Sequence, residues 1–336
     1  MAGDARRAAG QREGHPQALP RADLEYRRRR AGAGKHVHLT SPSRDNLRGS
    51  LLMVAAMVCF ALEDVLLKQI SATVPVGQVL ALSGAGGGLI FLLISSVGDT
   101  PLQWRALLLP AVVLRNLSEA VGSVVFVTAL ALTRLSEVSA ILQATPLAMT
   151  LGAALFLGES VGWRRWTAIG IGFTGVLLVI QPGMAGFAPA SLFAVATVVL
   201  LAMRDLCSRA VPPSVPSVQL AAWGFLSLVP AGLATLLIAG TPPVTLASPE
   251  WVRMAAILVT GCCGYYAIVA ATRTGEVSAV VPFRYTRLLF AMVLAWLVFD
   301  EHPDGLMITG AALIVGTGLY TIWRSAVRSR RPAPEL

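Results

Sequence analysis

From residue 49 onward the chain is a succession of apolar stretches, each close to the twenty or so residues a helix needs to cross a bilayer. Ten can be marked, at about 49–70, 77–97, 106–132, 136–158, 163–181, 189–210, 217–239, 251–272, 276–299 and 304–324. Short connectors rich in Gly and Pro separate them, such as Gln181-Pro182-Gly183 and Thr241-Pro242-Pro243. An open sheet cannot meet lipid, because its edge groups would lack hydrogen-bond partners. The stretches are also too long and too evenly apolar for barrel strands. The sequence therefore predicts an all-α integral membrane protein with ten transmembrane helices. Charged residues make up only 13% of the chain, against roughly 25% in a soluble domain, which argues against a soluble enzyme.

The net charge of +9 raises nucleic acid as a partner, but the position of the charge answers that. Arg6, Arg7, Arg12, Arg21, Arg27 to Arg30, Lys35, Arg44 and Arg48 precede the apolar region, and Arg324, Arg328, Arg330 and Arg331 follow it. Residues 1–48 read as a disordered basic tail and 326–336 as a short C-terminal tail. Basic flanks stay on the cytoplasmic side, so both termini are expected there, with the chain multi-pass in the inner membrane. The lipid bilayer and a small-molecule substrate are the expected partners. Nucleic acid is not, and a homodimer is left open. Cys59, Cys207, Cys262 and Cys263 show no CxxC spacing. No metal site and no cofactor are expected.

The chain also repeats itself. Thr133 to Ala140 matches Thr272 to Ala279, Pro75 to Gln78 matches Pro216 to Gln219, Asp64 and Lys68 match Asp205 and Arg209, and Gly158-Glu159 matches Asp300-Glu301. The separations are 139, 141, 141 and 142 residues. One shift thus relates two halves of five spans, 49–185 and 186–325. Five is odd, so the second half inserts upside down. Arg164 and Arg165 sit in a connector whose counterpart, 300–304, has no Lys or Arg, as inversion requires. Inverted repeats mark secondary transporters, with the substrate site near the midplane.

Two such repeats, carrying Glu137-Val138-Ser139-Ala140, Pro146 and Leu157-Gly158-Glu159, then Glu276-Val277-Ser278-Ala279 and Phe299-Asp300-Glu301, resemble the EamA type of the drug/metabolite transporter superfamily. The resemblance covers residues 49–325. Val281 to Phe290 is similar to a bacterial subgroup that includes proposed riboflavin and S-adenosylmethionine uptake systems, while other relatives export metabolites. The resemblance implies alternating access, the repeats rocking about a central cavity. In one departure, Leu288 stands at the distance matching Pro146.

Charges within spans are costly, about 2.5–3.5 kcal/mol each on insertion scales, and so are functional candidates. Asp64 with Lys68, and Asp205 with Arg209, are four apart and read as ion pairs or snorkelling anchors within their own helices. Glu63 lacks such a partner, and its counterpart is Arg204. Arg115 and Glu119 share one helical face, beside Asn116. Arg284 and Arg287 share another, beside Tyr285, with Glu63 and Glu119 as the acids expected to balance them. A guanidinium suits a carboxylate or phosphate, and Arg284 is expected to face the cavity. Gln143, Tyr265 and Tyr266 are neutral polar candidates, tyrosine being suited to stacking on a heterocycle. The expected substrate-binding set is Arg115, Asn116, Glu119, Gln143, Tyr265, Arg284 and Tyr285, with Glu63 and Glu119 as proton-coupling candidates. No catalytic residue is expected. Gly170 to Gly175 spells GxGxxG, but inside an apolar span it reads as close helix packing rather than a nucleotide loop. The chain is expected to be no enzyme but a secondary transporter of a small polar metabolite, either a riboflavin-like heterocycle, S-adenosylmethionine or an amino-acid-like zwitterion. The alternatives are an efflux permease and a non-transporting scaffold or sensor.

Overall fold

The computed structural model describes residues 42–97, 102–159, 162–184, 187–274 and 276–329. Among these, every regular element is helical. The first half comprises α1 (Pro42–Ile70), α2 (Val76–Val97), α3 (Pro110–Leu132), α4 (Leu135–Leu142), α5 (Thr145–Phe156) and α6 (Trp163–Ile180). The second comprises α7 (Ser191–Ala210), α8 (Ser217–Ala239), α9 (Ser248–Thr274), α10 (Val277–Val280), a 3₁₀ turn (Val281–Tyr285), α11 (Thr286–Phe299) and α12 (Gly305–Ser329).

Nine spans among the described residues are long and apolar enough to cross a membrane. The tenth expected span is α6, whose 18 residues open with Arg164 and Arg165 in the first turn, and it is not among the nine. The predicted N-terminal tail is corrected at its edge. Residues 42–48 are helical and lengthen α1, and residues 1–41 lie outside the described residues. At the other end α12 runs on to Ser329, into the expected C-terminal tail, and 330–336 lie outside the described residues.

Two expected spans are broken. Pro146 has no N–H to offer Leu142 O, four residues back. The Thr145 hydroxyl takes that carbonyl instead, at 2.6 Å, and the chain restarts as α5. In the second half the break falls earlier, around Pro282 in the 3₁₀ turn. The two prolines do not correspond under the repeat shift, so the halves diverge here, as the departure at Leu288 implied.

The halves interlock. The largest interfaces are α2 on α8, α6 on α12 and α3 on α7, each joining one half to the other. Glycines permit the first two. A Cβ on Gly77 would lie 2.4 Å from Gly232 O, and one on Gly175 would lie 2.7 Å from Gly310 O, so backbones meet where any side chain would part them. Of the GxGxxG glycines, Gly172 and Gly175 pack tightly and Gly170 faces open space. Helices that interlock in this way do not leave each repeat a separate body.

Short connectors make successive spans run in opposite directions. One end of the bundle, here the first end, holds the start of α1 and the ends of α7 and α9. The second end holds the end of α1 and the starts of α7 and α12. Arg105, Arg164, Arg165, Arg209 and Arg273 all fall at the first end. Each end carries one polar clamp, and the two are repeat mates. The Gln78 side chain donates to Val244 O at 2.7 Å and accepts from Val244 N at 2.8 Å. Gln219 Oε1 accepts from Gln103 N at 3.2 Å, and Gln103 Nε2 donates to Ser214 O at 2.9 Å.

Candidate functional site

Two charged clusters lie inside the bundle. The first is built by α3 and α7. Arg115 Nη2 is 3.4 Å from Glu119 Oε2, one helical turn away. The Glu119 carboxylate also accepts from Arg204 Nη1 at 3.2 and 3.3 Å. Arg204 Nε and Nη2 both reach Asp205 Oδ1 at 2.9 Å. Arg115 Nη1 donates to Asn116 Oδ1 and to Leu220 O, each at 2.9 Å. It fits against α8 because Gly224 stands there, where a Cβ would lie 2.3 Å from Nη1. Four charges thus satisfy one another in a chain, which offsets much of their desolvation cost.

The second cluster joins α1 to α11. Arg287 Nε and Nη2 grip Asp64 with contacts of 2.7 to 3.1 Å, the bidentate geometry of the strongest ion pairs. Its guanidinium also lies 5.5 Å from the centre of the Phe60 ring. Glu63, one residue before Asp64, makes no hydrogen bond or ion pair with a described residue. Its carboxylate lies against Gly261 of α9, where a Cβ would come within 2.9 Å of Oε1.

The geometry corrects several expectations. Asp64 and Lys68 do not pair, and neither do Asp205 and Arg209. Asp64 takes Arg287, Lys68 takes Glu301, and Arg209 takes Glu159. Side chains on the inward face of a span meet opposite charges on neighbouring helices, and a bidentate guanidinium outcompetes a partner on the same helix. Arg284 and Arg287 separate as well, because Arg284 lies in the 3₁₀ turn and Arg287 in α11. Neither is held by Glu63 or Glu119. Arg284 makes no hydrogen bond or ion pair with any described residue and is exposed. Charges of both clusters act on it, Asp205 and Arg204 from the first and Arg287 from the second.

The neutral candidates are spread out. Gln143 Nε2 is 3.5 Å from Tyr285 O, at the long limit for a hydrogen bond. Tyr285 is buried, and its hydroxyl, unpartnered among the described residues, points at Gly318, where a Cβ would overlap it at 1.7 Å. Tyr265 donates to Ser217 O at 3.1 Å and packs edge-on against Phe91. Tyr266 is 74% exposed on the same helix and joins neither cluster. Sequence reasoning placed Asp64 and Asp205 in structural pairs and so missed them as members of the clusters. Their recurrence under the repeat shift was the available signal.

Similarity to known proteins agrees with this architecture. A family model described as "EamA-like transporter family" matches residues 47–181 and again 188–323. A riboflavin transporter of Rhizobium johnstonii is 30% identical over 64% of this chain and 70% of its own length. An S-adenosylmethionine uptake transporter of Rickettsia conorii is 26% identical over 53% of this chain and 60% of its own length. A pseudopaline exporter of Pseudomonas aeruginosa is 28% identical over 80% of this chain and 93% of its own length. A solved crystal structure covers 83% of the chain with a TM-score of 0.56 at 20% identity, which supports the fold alone. With both halves matched, this multi-pass, all-helical membrane chain belongs to the EamA-like transporter family.

Proposed function

We propose that the protein is a secondary transporter that moves a small polar organic solute across the inner membrane by alternating access, with both termini cytoplasmic and Arg284 receiving an anionic group of the solute. The observation that carries this reading is the state of the cations. Arg115, Arg204 and Arg287 are each held by an acid, whereas Arg284 is accessible and unclaimed. An arginine in a span needs a counter-charge, and a carboxylate or phosphate matches its fork. The discontinuous helices beside it are the usual surroundings of a transporter's substrate.

The charges narrow the solute. Asp64, Glu119 and Asp205 stand against Arg115, Arg204, Arg284 and Arg287, with Glu63 beside Asp64, so the clusters leave at most about one cation to be met by a solute. A zwitterion, or a polar heterocycle with one anionic group, preserves that balance better than a polyanion. The names of the riboflavin and S-adenosylmethionine relatives favour uptake. The second reading is efflux, because the exporter relative is matched over nearly its whole length. Cells expressing the full chain, given labelled riboflavin or S-adenosylmethionine, should take up one of them, with the uptake lost in Arg284→Ala. Membrane-inserted protein with no uptake of either would reject the importer reading and leave efflux to be tested.

A further inference from the structure

The two charged clusters face the inside of the bundle. The corner between α5 and α6, at the first end, turns its charge outward. α6 opens with Trp163-Arg164-Arg165-Trp166. Trp163 and Trp166 are three residues apart, so they share a helical face, and they are 70% and 44% exposed. Arg164 is exposed, and its guanidinium lies 5.3 Å from the centre of the Trp163 ring. On the other side of the corner Phe156 ends α5 and Leu157 caps it, and both are exposed.

Length sets the depth of these groups. The 18 residues of α6 span about 27 Å at 1.5 Å per residue, against a hydrocarbon core of about 30 Å. The uncharged stretch, Thr167 to Ile180, reaches only about 21 Å. A helix this short cannot cross the core and also hold Arg164 out in bulk water. Its first turn therefore lies at the boundary of acyl chains and headgroups, where tryptophan is favoured and where phosphates lie. Snorkelling of the arginine and local thinning of the bilayer both bring a phosphate to the guanidinium.

The fold does not require the tetrad. The repeat shift of 142 residues carries Trp163, Arg164, Arg165 and Trp166 onto Gly305, Leu306, Met307 and Ile308. There α12 opens without arginine or tryptophan in its first turn and still packs closely on α6. Nor does the corner's acid cancel the charge, because Glu159 is met by Arg209 at 3.9 Å. At the second end the exposed Trp251 also has an arginine close by in sequence, but Arg253 lies 3.7 Å from Glu250 on the same helix.

We propose that the α5–α6 corner binds an acidic phospholipid: Arg164 meets the headgroup phosphate, Trp163 and Trp166 flank it at the interface, and Phe156 and Leu157 lie along the acyl chains. A zwitterionic phospholipid carries its own cation beside the phosphate. An arginine site therefore favours a lipid whose phosphate is uncompensated, such as phosphatidylglycerol. The site is independent of Arg284 and of the transport reading.

Native mass spectrometry of the detergent-purified full chain tests it, with phosphatidylglycerol and phosphatidylcholine of the same acyl chains added together. The wild type should retain phosphatidylglycerol in preference. One arginine near an acidic lipid surface is worth about 1 kcal/mol, or about fivefold in affinity. Arg164→Gln should therefore cut the preference about fivefold, Arg164→Lys should keep most of it, and Arg105→Gln, an exposed arginine elsewhere at the same end, should leave it unchanged. Equal retention of the two lipids by the wild type, an unchanged preference in Arg164→Gln, or an equal loss in Arg105→Gln would each overturn the proposal. Excess sn-glycerol 3-phosphate should not displace the lipid, because it has no acyl chains. Displacement would make the corner a site for soluble phosphates and overturn the lipid assignment too.

Discussion

At the scale of single residues, what matters is which charges are spoken for. Removing one member of the Asp64–Arg287 pair strands the other away from water, a cost of about 3–5 kcal/mol. Asp64→Asn and Arg287→Gln should each lower the melting temperature of the purified protein sharply, and the double variant should be more stable than either single one. Equal, additive losses would show that the two do not act as a pair. Glu63 is different, because it has no cation to leave behind. If it carries a coupling proton, Glu63→Gln should abolish pH-driven transport and spare solute exchange, whereas loss of exchange as well would make it a solute contact. The presence of these charges in apolar spans was legible in the sequence. Their partners were not, because spacing along one helix says nothing of what faces it across the bundle. Asp64 sits one turn from Lys68 and yet binds Arg287, 223 residues away.

At the scale of elements, glycines and caps decide how closely helices approach and where they begin. Gly232 lies on Gly77 of α2, and a Cβ there would lie 2.3 Å from Gly77 O. Gly232→Val should therefore part α2 from α8, at a cost of about 1–3 kcal/mol or more, while Gly316→Ala, with nothing within 4 Å, should melt as the wild type does. Equal melting of both variants would refute the packing assigned to α2 and α8. At the start of α12, Asp304 accepts from Met307 N and from Gln181 Nε2, each at 2.7 Å. The Gln181 hydrogen bond, followed by that from Met307, holds its carboxyl below the usual carboxylate range. A depressed pKa means that the stabilisation is present above the unfolded value, about 3.9, and is lost as pH falls through the folded one. Asp304→Ala should cost about 1 kcal/mol as a lost cap, and melts between pH 3 and 7 should converge with the wild type only at the acid end. The positions of the spans were readable because apolar length is a local property. The breaks at Pro146 and Pro282 were not, because each proline sat in an apolar run that also reads as a continuous helix.

At the scale of the whole molecule, the inverted repeat was legible from one shift of about 141 residues, since two copies of a fold keep the same residues at the same turns. What the repeat could not show is that the halves interlock through α2 with α8 and α6 with α12. The account's central claim is that Arg284 receives the solute. Its most direct test is counterflow in liposomes holding the purified full chain, screened with labelled carboxylate- and phosphate-bearing metabolites. Wild type is compared with Arg284→Ala, Arg284→Lys and the exposed-arginine control Arg105→Ala. The account predicts that a transported solute moves equally well with Arg105→Ala, more slowly with Arg284→Lys, and at least about tenfold more slowly with Arg284→Ala, the loss of a charge-assisted contact of some 1.5–3 kcal/mol. Transport by Arg284→Ala at the wild-type rate would contradict it.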